Sequence, residues 1–203
     1  MTATRALLFD LGGVVLDVDF DGAMRHWARH SRLPLARLKE LFHFDDPYQR
    51  HETGRLEAGG YFAHLRELLA LECGEDEVRA GFNAIFPGEI DETVQLLDAV
   101  RERVPCYAIS NTNAVHIAAI EESFPRLLPR FARVFTSHEI GHRKPHPQCF
   151  RYVLSEIAVP APEVLLFDDL EPNVEGARAL GMQAVLVRGP QDVRSALADR
   201  GLL

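Results

Sequence analysis

Short, unbroken apolar runs alternate along the chain with longer stretches in which apolar residues recur every three or four positions. The runs Ala6–Phe9, Cys106–Ile109, Ala132–Phe135, Val164–Phe167 and Ala184–Val187 predict strands. Helical periodicity covers Ile90–Arg103, Ala114–Ser123, Gln148–Ile157, Asn173–Leu180 and Asp192–Asp199. Pro172 opens one of these helices and Gly181 closes it, while Pro147 opens another. Strands alternating with helices in this way predict βαβ units, and so an α/β, Rossmann-like parallel sheet.

The segment from Asp19 to Pro87 breaks the alternation. It carries helical patterns over Phe20–His30, Leu35–Phe44, Tyr61–Glu72 and Glu75–Phe86, with no convincing strand. An insertion directly after the first strand sits above the C-terminal edge of a parallel sheet, where ligands bind in open α/β folds. The expected organisation is therefore a core of residues 1–18 and 88–203 and a small helical cap of residues 19–87. A helical extension on one flank of the sheet is the plainer alternative.

Three of the apolar runs end alike. Leu7-Leu8-Phe9 leads into Asp10, Tyr107-Ala108-Ile109 into Ser110-Asn111, and Leu165-Leu166-Phe167 into Asp168-Asp169. Parallel strands share their C-terminal edge, so these polar groups should meet in one crevice. A single Asp after a strand is ordinarily a turn or cap residue; three such endings in one chain are harder to dismiss. Gathering Asp10, Asp168 and Asp169 raises their pKa values through like-charge repulsion unless a cation intervenes. Mg²⁺ suits a site with few carboxylates and a phosphorylated ligand, whereas Zn²⁺ lacks a Cys/His set beside these aspartates. Lys144, held between Arg143 and Pro145 in a polar stretch before a helix, can keep Asp10 ionised and stabilise charge on a transferring group. Taken alone, it reads as a solvated lysine.

Charge and cysteine usage narrow the setting. The net charge of −8, with its 22 basic residues scattered, argues against a nucleic-acid partner. The 3 cysteines are far apart and form no C-x-x-C pair, as in a reducing compartment. Asp10 interrupts the apolar stretch Ala6–Leu16, and no uncharged run is long enough for a membrane span. A cytoplasmic protein, monomeric or weakly homodimeric, is expected.

Four motifs stand in a fixed order: Phe9-Asp10-Leu11-Gly12-Gly13-Val14, Ser110-Asn111-Thr112, Arg143-Lys144-Pro145, and Phe167-Asp168-Asp169 with Asn173. Together they cover nearly the whole chain and resemble the haloacid dehalogenase superfamily. Within it, the stretch Phe9 to Phe20, the segment His51-Glu52-Thr53-Gly54 and Ser110-Asn111-Thr112-Asn113 look like bacterial α-D-glucose-1-phosphate phosphatase-like proteins. The resemblance implies a Mg²⁺-dependent phosphatase of a small phosphorylated metabolite, in which Asp10 forms an aspartyl-phosphate. It assigns Asp10, Lys144 and Ser110 to catalysis, and Leu11, Gly12, Ser110, Asn111 and Lys144 to substrate binding. The metal falls to Asp10, Asp169 and the Gly12 carbonyl, with Asp168 assisting directly or through water. Asn173 would orient Lys144 or the second motif.

Gly12 departs from the superfamily pattern, in which phosphatases carry a second Asp two residues after the nucleophile as general acid and base. Losing such a group typically costs ~10²–10⁴-fold in rate. A good leaving group such as an anomeric hydroxyl, or a substitute acid at Asp17, His43 or His51, would offset it. Dehalogenation of a 2-haloacid on Asp10 is the alternative chemistry, needing no acid, but it leaves the Asp168–Asp169 pair uncompensated. A degenerate binding protein is a third reading. Phospho-accepting receiver domains share the residue types but place their acidic pair on the first strand. His26 and His30 are four apart on a predicted helix, a chelating spacing, but no third ligand is visible and a solvated face is expected. Trp27, Phe42, Phe44, Tyr48 and Phe62 should form mostly cap core.

Overall fold

The computed structural model describes residues 3–203; the first two residues of the expected core segment, Met1 and Thr2, lie outside the described residues. Its strands are β1 (Ala6–Phe9), β2 (Cys106–Ser110), β3 (Arg133–Thr136), β4 (Val164–Asp168) and β5 (Gln183–Leu186). They form one sheet of order β3-β2-β1-β4-β5, parallel at every pairing. The chain moves outward from β1 through β2 to β3, then returns to lay β4 on the other side of β1. That reversal is a topological switch point, where the crossovers on either side diverge and leave a crevice at the strands' C-terminal ends.

Alternating side chains cover both faces. Leu7, Phe9, Leu165 and Phe167 pack under α6 (Asp91–Val100) and α11 (Pro190–Ala198), with Ile120 from α7 (Ala114–Ser123). Ala6, Leu8, Val164 and Leu166 pack under α9 (Pro147–Ile157) and α10 (Glu171–Ala179). Burial on both faces is why these strands read as continuous apolar runs rather than as alternating ones.

Between β1 and α6 run α1 (Phe20–Trp27), α2 (Leu35–Leu41), α3 (Asp46–Glu52), α4 (Ala58–Leu68) and α5 (Glu75–Asn83). These helices enclose a hydrophobic cluster of their own, built on Trp27, Leu38, Tyr61, Phe62, Val78 and Phe82. The chain leaves and re-enters the sheet side by side: Asp17 N–H donates to Gly88 O (2.9 Å) and Asp19 N–H to Ile85 O (2.8 Å).

Two helices differ from expectation. The stretch expected as one helix over Leu35–Phe44 ends at Leu41, and α3 starts soon after it. Asp45 caps α3 by accepting from Tyr48 N–H at 2.9 Å, and Pro47 occupies its first turn. The other is α8 (Ser137–Ile140), a single turn following β3 in a stretch for which no helix was predicted. Among the described residues, no helix is long and apolar enough to cross a membrane.

Candidate active site

Register brings the strand ends together. Phe9 is level with Phe167 on β4 and with Ala108 on β2, so the residues that follow emerge at one rim. There the Lys144 ammonium lies between two carboxylates, 2.8 Å from Asp10 Oδ2 and 2.6 Å from Asp168 Oδ2, and also donates to Ile109 O at 3.1 Å. A lysine with its side chain 0% exposed is rare unless paired, and this one is paired twice. Its backbone is pinned as well: Lys144 N–H donates to Asn111 Oδ1 (2.7 Å), and Asn111 Nδ2 donates back to Lys144 O (2.9 Å). Asn111 borders the cleft, but its amide is committed to holding this loop rather than free for a ligand.

The three aspartates differ in what remains available. Asp168 is fully buried. Its Oδ2 takes Lys144, while its Oδ1 accepts from Leu170 N–H (3.0 Å) and Asn173 Nδ2 (2.9 Å). Asn173 therefore acts on Lys144 through Asp168, not directly. Asp10 accepts from Leu11 N–H through Oδ1 at 2.7 Å and from Lys144 through Oδ2. Leu11 gives Asp10 this backbone donor and borders the cavity, with its side chain buried in the core. Asp169 is half-buried and packs so closely on Gly13 that a Cβ there would fall 2.4 Å from its Oδ2. One oxygen from each of the three aspartates lies within 4.8 Å of the others.

Electrostatics at the rim are unbalanced. Burial pushes the Asp10 carboxyl well above the ordinary carboxylate range; Lys144 pulls it back, and Asp168 and Asp169 push it up again. Burial alone would lower the Lys144 ammonium, but Asp10 and Asp168 outweigh that and hold it above its ordinary value. Asp169 is raised, first by burial and then by Asp168. One ammonium thus serves three buried or half-buried carboxylates, a deficit that a hard divalent cation with oxygen ligands is suited to fill.

Above the rim lies a cavity of about 340 Å³, bounded below by Asp10, Gly12, Ser110 and Asp169 and above by side chains of the inserted helices. Phe44 and Tyr48, expected as core, and Phe20 line it, Tyr48 being buried in the helical cluster as well, where Trp27 and Phe62 also lie with Phe42 packed against them. Glu52, 3% exposed, reaches into the cavity beside Arg143. Arg143 Nε sits 3.0 Å from Glu52 Oε2 but out of line for a hydrogen bond, leaving both atoms unpartnered. Burial raises the Glu52 carboxyl, and Arg143 counters it in part. Burial also raises the Tyr48 phenol well above its ordinary value, with Glu52 adding to the effect.

The suggested substitute acids are placed unevenly. Asp17 borders the cavity. His43 lies outside its lining, its Nδ1 donating to Leu41 O, 2.6 Å away. His51 is buried and turned to Leu56 O at 2.9 Å. A histidine passed over in the sequence, His116, does border the cavity. Burial drives it down to about 3, and it stacks on Phe82 at 3.9 Å, so it is neutral and part of the packing. Glu52 and Arg143 are the principal additions to the expected site; His51-Glu52-Thr53-Gly54 was noted in the sequence, yet nothing there showed Glu52 pointing inward.

A parallel α/β sheet with a carboxylate–lysine cluster at its switch point, roofed by inserted helices, defines a Rossmann-like hydrolase architecture. Residues 4–181 match the haloacid dehalogenase-like hydrolase family model, and the chain belongs to that family. A D-ribitol-5-phosphate phosphatase of Bacteroides thetaiotaomicron is 25% identical, over 95% of this chain and 96% of its own length. The drimenol cyclase drtB of Aspergillus calidoustus is 40% identical, across 98% of this chain but only 38% of that longer protein. Among solved structures, a family enzyme from Bacteroides thetaiotaomicron in complex with magnesium and inorganic phosphate superposes with a TM-score of 0.79 at 24% identity, covering 90% of this chain and 93% of that one. An L-2-haloacid dehalogenase from Xanthobacter autotrophicus shares the fold at a TM-score of 0.65 and 19% identity, covering 89% of this chain and 76% of that one.

Proposed function

We propose that this hydrolase removes phosphate from a small phosphorylated metabolite, with Mg²⁺ as cofactor and Asp10 as covalent nucleophile. The observation that carries the reading is the placement of Lys144 between Asp10 and Asp168, with Asp169 beside them, beneath a cavity of small-metabolite size. In this reading residues 19–87 are a cap over a core of residues 1–18 and 88–203, and the cap supplies the groups that meet the leaving group.

Each side chain has a defined task. Asp10 presents a carboxylate oxygen to phosphorus, oriented by Leu11 N–H and drawn towards its ionised form by Lys144. The P–O bond to the leaving group breaks as the acyl phosphate forms on Asp10, and water then cleaves that acyl phosphate to regenerate the carboxylate. Lys144 stabilises negative charge on the transferring group, with Ser110 donating to its oxygens. Asp10, Asp169 and the Gly12 carbonyl would hold the metal. Asp168, its oxygens already engaged, serves chiefly to fix Lys144. When bound, Mg²⁺ neutralises phosphoryl oxygens and the carboxylate excess at the rim.

With Gly12 in place of the usual acid, a leaving group that needs little protonation is favoured, and a sugar 1-phosphate such as glucose 1-phosphate meets that condition. Glu52, Arg143 and Tyr48 are placed to read hydroxyls of such a group, against the apolar wall of Phe20, Phe44 and Phe86. The test is phosphate release from a panel containing glucose 1-phosphate, ribitol 5-phosphate and a 2-chloroacid, with Mg²⁺ and with EDTA. Mg²⁺-dependent release, abolished by Asp10→Asn, is expected. Halide release without Mg²⁺ would overturn the reading in favour of dehalogenation, and no turnover of any kind would favour a binding protein.

A further inference from the structure

Among the inserted helices, outside the lining of the cavity, two histidines and a glutamate from separate parts of the chain converge. His26 lies in the last turn of α1 and His30 just beyond it, while Glu77 lies in the first turn of α5. His26 Nε2 is 3.3 Å and His30 Nε2 3.5 Å from the same oxygen, Glu77 Oε2. One ligating atom from each of the three lies within 4.8 Å of the others. The sequence showed the two histidines but no third ligand; the packing of α5 on α1 supplies it.

These separations match a metal site. Ligand bonds of about 2.0–2.2 Å in a tetrahedron put neighbouring donor atoms about 3.3–3.6 Å apart. The two helices that carry the ligands are also held rigidly together. The Trp27 indole N–H donates to Val78 O at 3.0 Å, one residue beyond Glu77. Gly81 approaches the same ring so closely that a Cβ would fall 2.1 Å from Trp27 Nε1. The donors are thus preorganised by a buried contact independent of any ion, and they are open enough to solvent for an ion to enter, with side chains 19%, 33% and 51% exposed.

We propose that His26, His30 and Glu77 form a second metal site, for a borderline divalent transition ion such as Zn²⁺, distinct from the oxygen site at Asp10. Two imidazoles and one carboxylate suit Zn²⁺ and leave its fourth position to water, whereas Mg²⁺ prefers an all-oxygen octahedron. Arg29 Nη2 lies 3.4 Å from His26 Nδ1. Coordination through Nε2 places a proton on Nδ1, so Arg29, which is exposed, has to swing away. Bound metal would clamp α1 to α5 and stiffen the roof of the cavity.

Zn²⁺ titration of the full-length, chelator-treated chain in excess Mg²⁺, followed calorimetrically, tests this. Co²⁺ absorption serves as a coordination readout, since tetrahedral Co²⁺ shows intense visible bands. One saturable equivalent is expected, retained in Asp10→Asn. His26→Ala, His30→Ala and Glu77→Gln should each weaken it by about 10-fold or more, and Arg29→Ala should leave it intact or tighten it. Unchanged melting in EDTA would show that each variant still folds. Absence of saturable binding, binding indifferent to His26→Ala and Glu77→Gln, or loss of binding in Asp10→Asn alone would each overturn the proposal and leave a surface ion pair.

Discussion

Replacing Lys144 by Met preserves the length and bulk of the side chain while removing its charge and its three donated contacts. Breaking a buried ion pair from one side costs about 3–5 kcal/mol, because the abandoned charge has no solvent to turn to. The lower end applies here, since Asp168 keeps Leu170 N–H and Asn173 as donors and Asp10 keeps Leu11 N–H. The sign of the pH dependence follows. Lys144 is held above its ordinary value, so in the wild type its contribution is fully present below the unfolded lysine pKa of about 10.4. In the variant the Asp10 carboxyl, already raised by burial, loses the group that pulled it back. It escapes the penalty in acid by taking a proton, and the stability gap between the two proteins therefore widens from acid towards neutral pH. Denaturant unfolding in EDTA across that range measures the gap, and Mg²⁺ should narrow it by supplying another cation. Phosphate release at saturating Mg²⁺ should fall by about 10²–10³-fold in kcat, the usual cost of deleting one preorganised charge-stabilising donor. A gap below about 1 kcal/mol at neutral pH, or one that shrinks as pH rises, would refute the assignment of Lys144 as the counter-ion of both carboxylates.

Two further substitutions probe the rim and its roof. Gly13→Ala places a Cβ at φ +72° and 2.4 Å from Asp169 Oδ2, so about 1–2 kcal/mol of backbone strain is expected together with displacement of Asp169; thermal unfolding and Mg²⁺ titration read the two effects, and unchanged Mg²⁺ affinity would detach Asp169 from the metal. Glu52→Gln removes a carboxyl that burial raises above its ordinary value. Wild-type stability should decline as pH climbs from the unfolded glutamate pKa of about 4.3 through the folded value, and the variant's curve should be flatter there; parallel curves in metal-free buffer would show that Glu52 is not strained by ionisation.

The core was legible because its strands are buried on both faces. That burial forces continuous apolar runs such as Leu7-Leu8-Phe9, and a parallel sheet then carries whatever follows each run to one edge. Asp10, Ser110 and Asp168 needed no tertiary information beyond that rule. The roof was not legible in the same way. Helical periodicity located α1 and α5 but not their relative rotation, and so hid the meeting of Glu77 with His26; it missed α3, and with it the inward turn of Glu52 towards Arg143. Aromatic content misled for the same reason, since Phe44 carries the same composition signal as Phe62 yet faces the cavity, while Tyr48 is core and cavity wall at once. The signal for α3, by contrast, was present: Asp45 followed by Pro47 is a capped helix start, obscured by the neighbouring pattern that ran on to Phe44.

Gly12 poses the remaining chemical question, and the packing around it bears on the answer. A Cβ at this position would lie 3.1 Å from Val18 Cγ2, closer than side chains ordinarily approach. A side chain at position 12 would therefore press on Val18, and both residues line the cavity. In the phosphatase reading proposed above, Gly12 and Val18 supply no acid to the cavity and leave Asp17 as the bordering substitute, which favours a substrate whose hydroxyl departs with little help over a simple alkyl phosphate. Reinstating Asp at position 12 should thus leave glucose 1-phosphate turnover no faster unless Val18 is reduced to Ala as well, and rates for the single and double variants on sugar 1-phosphate and alkyl phosphate decide it.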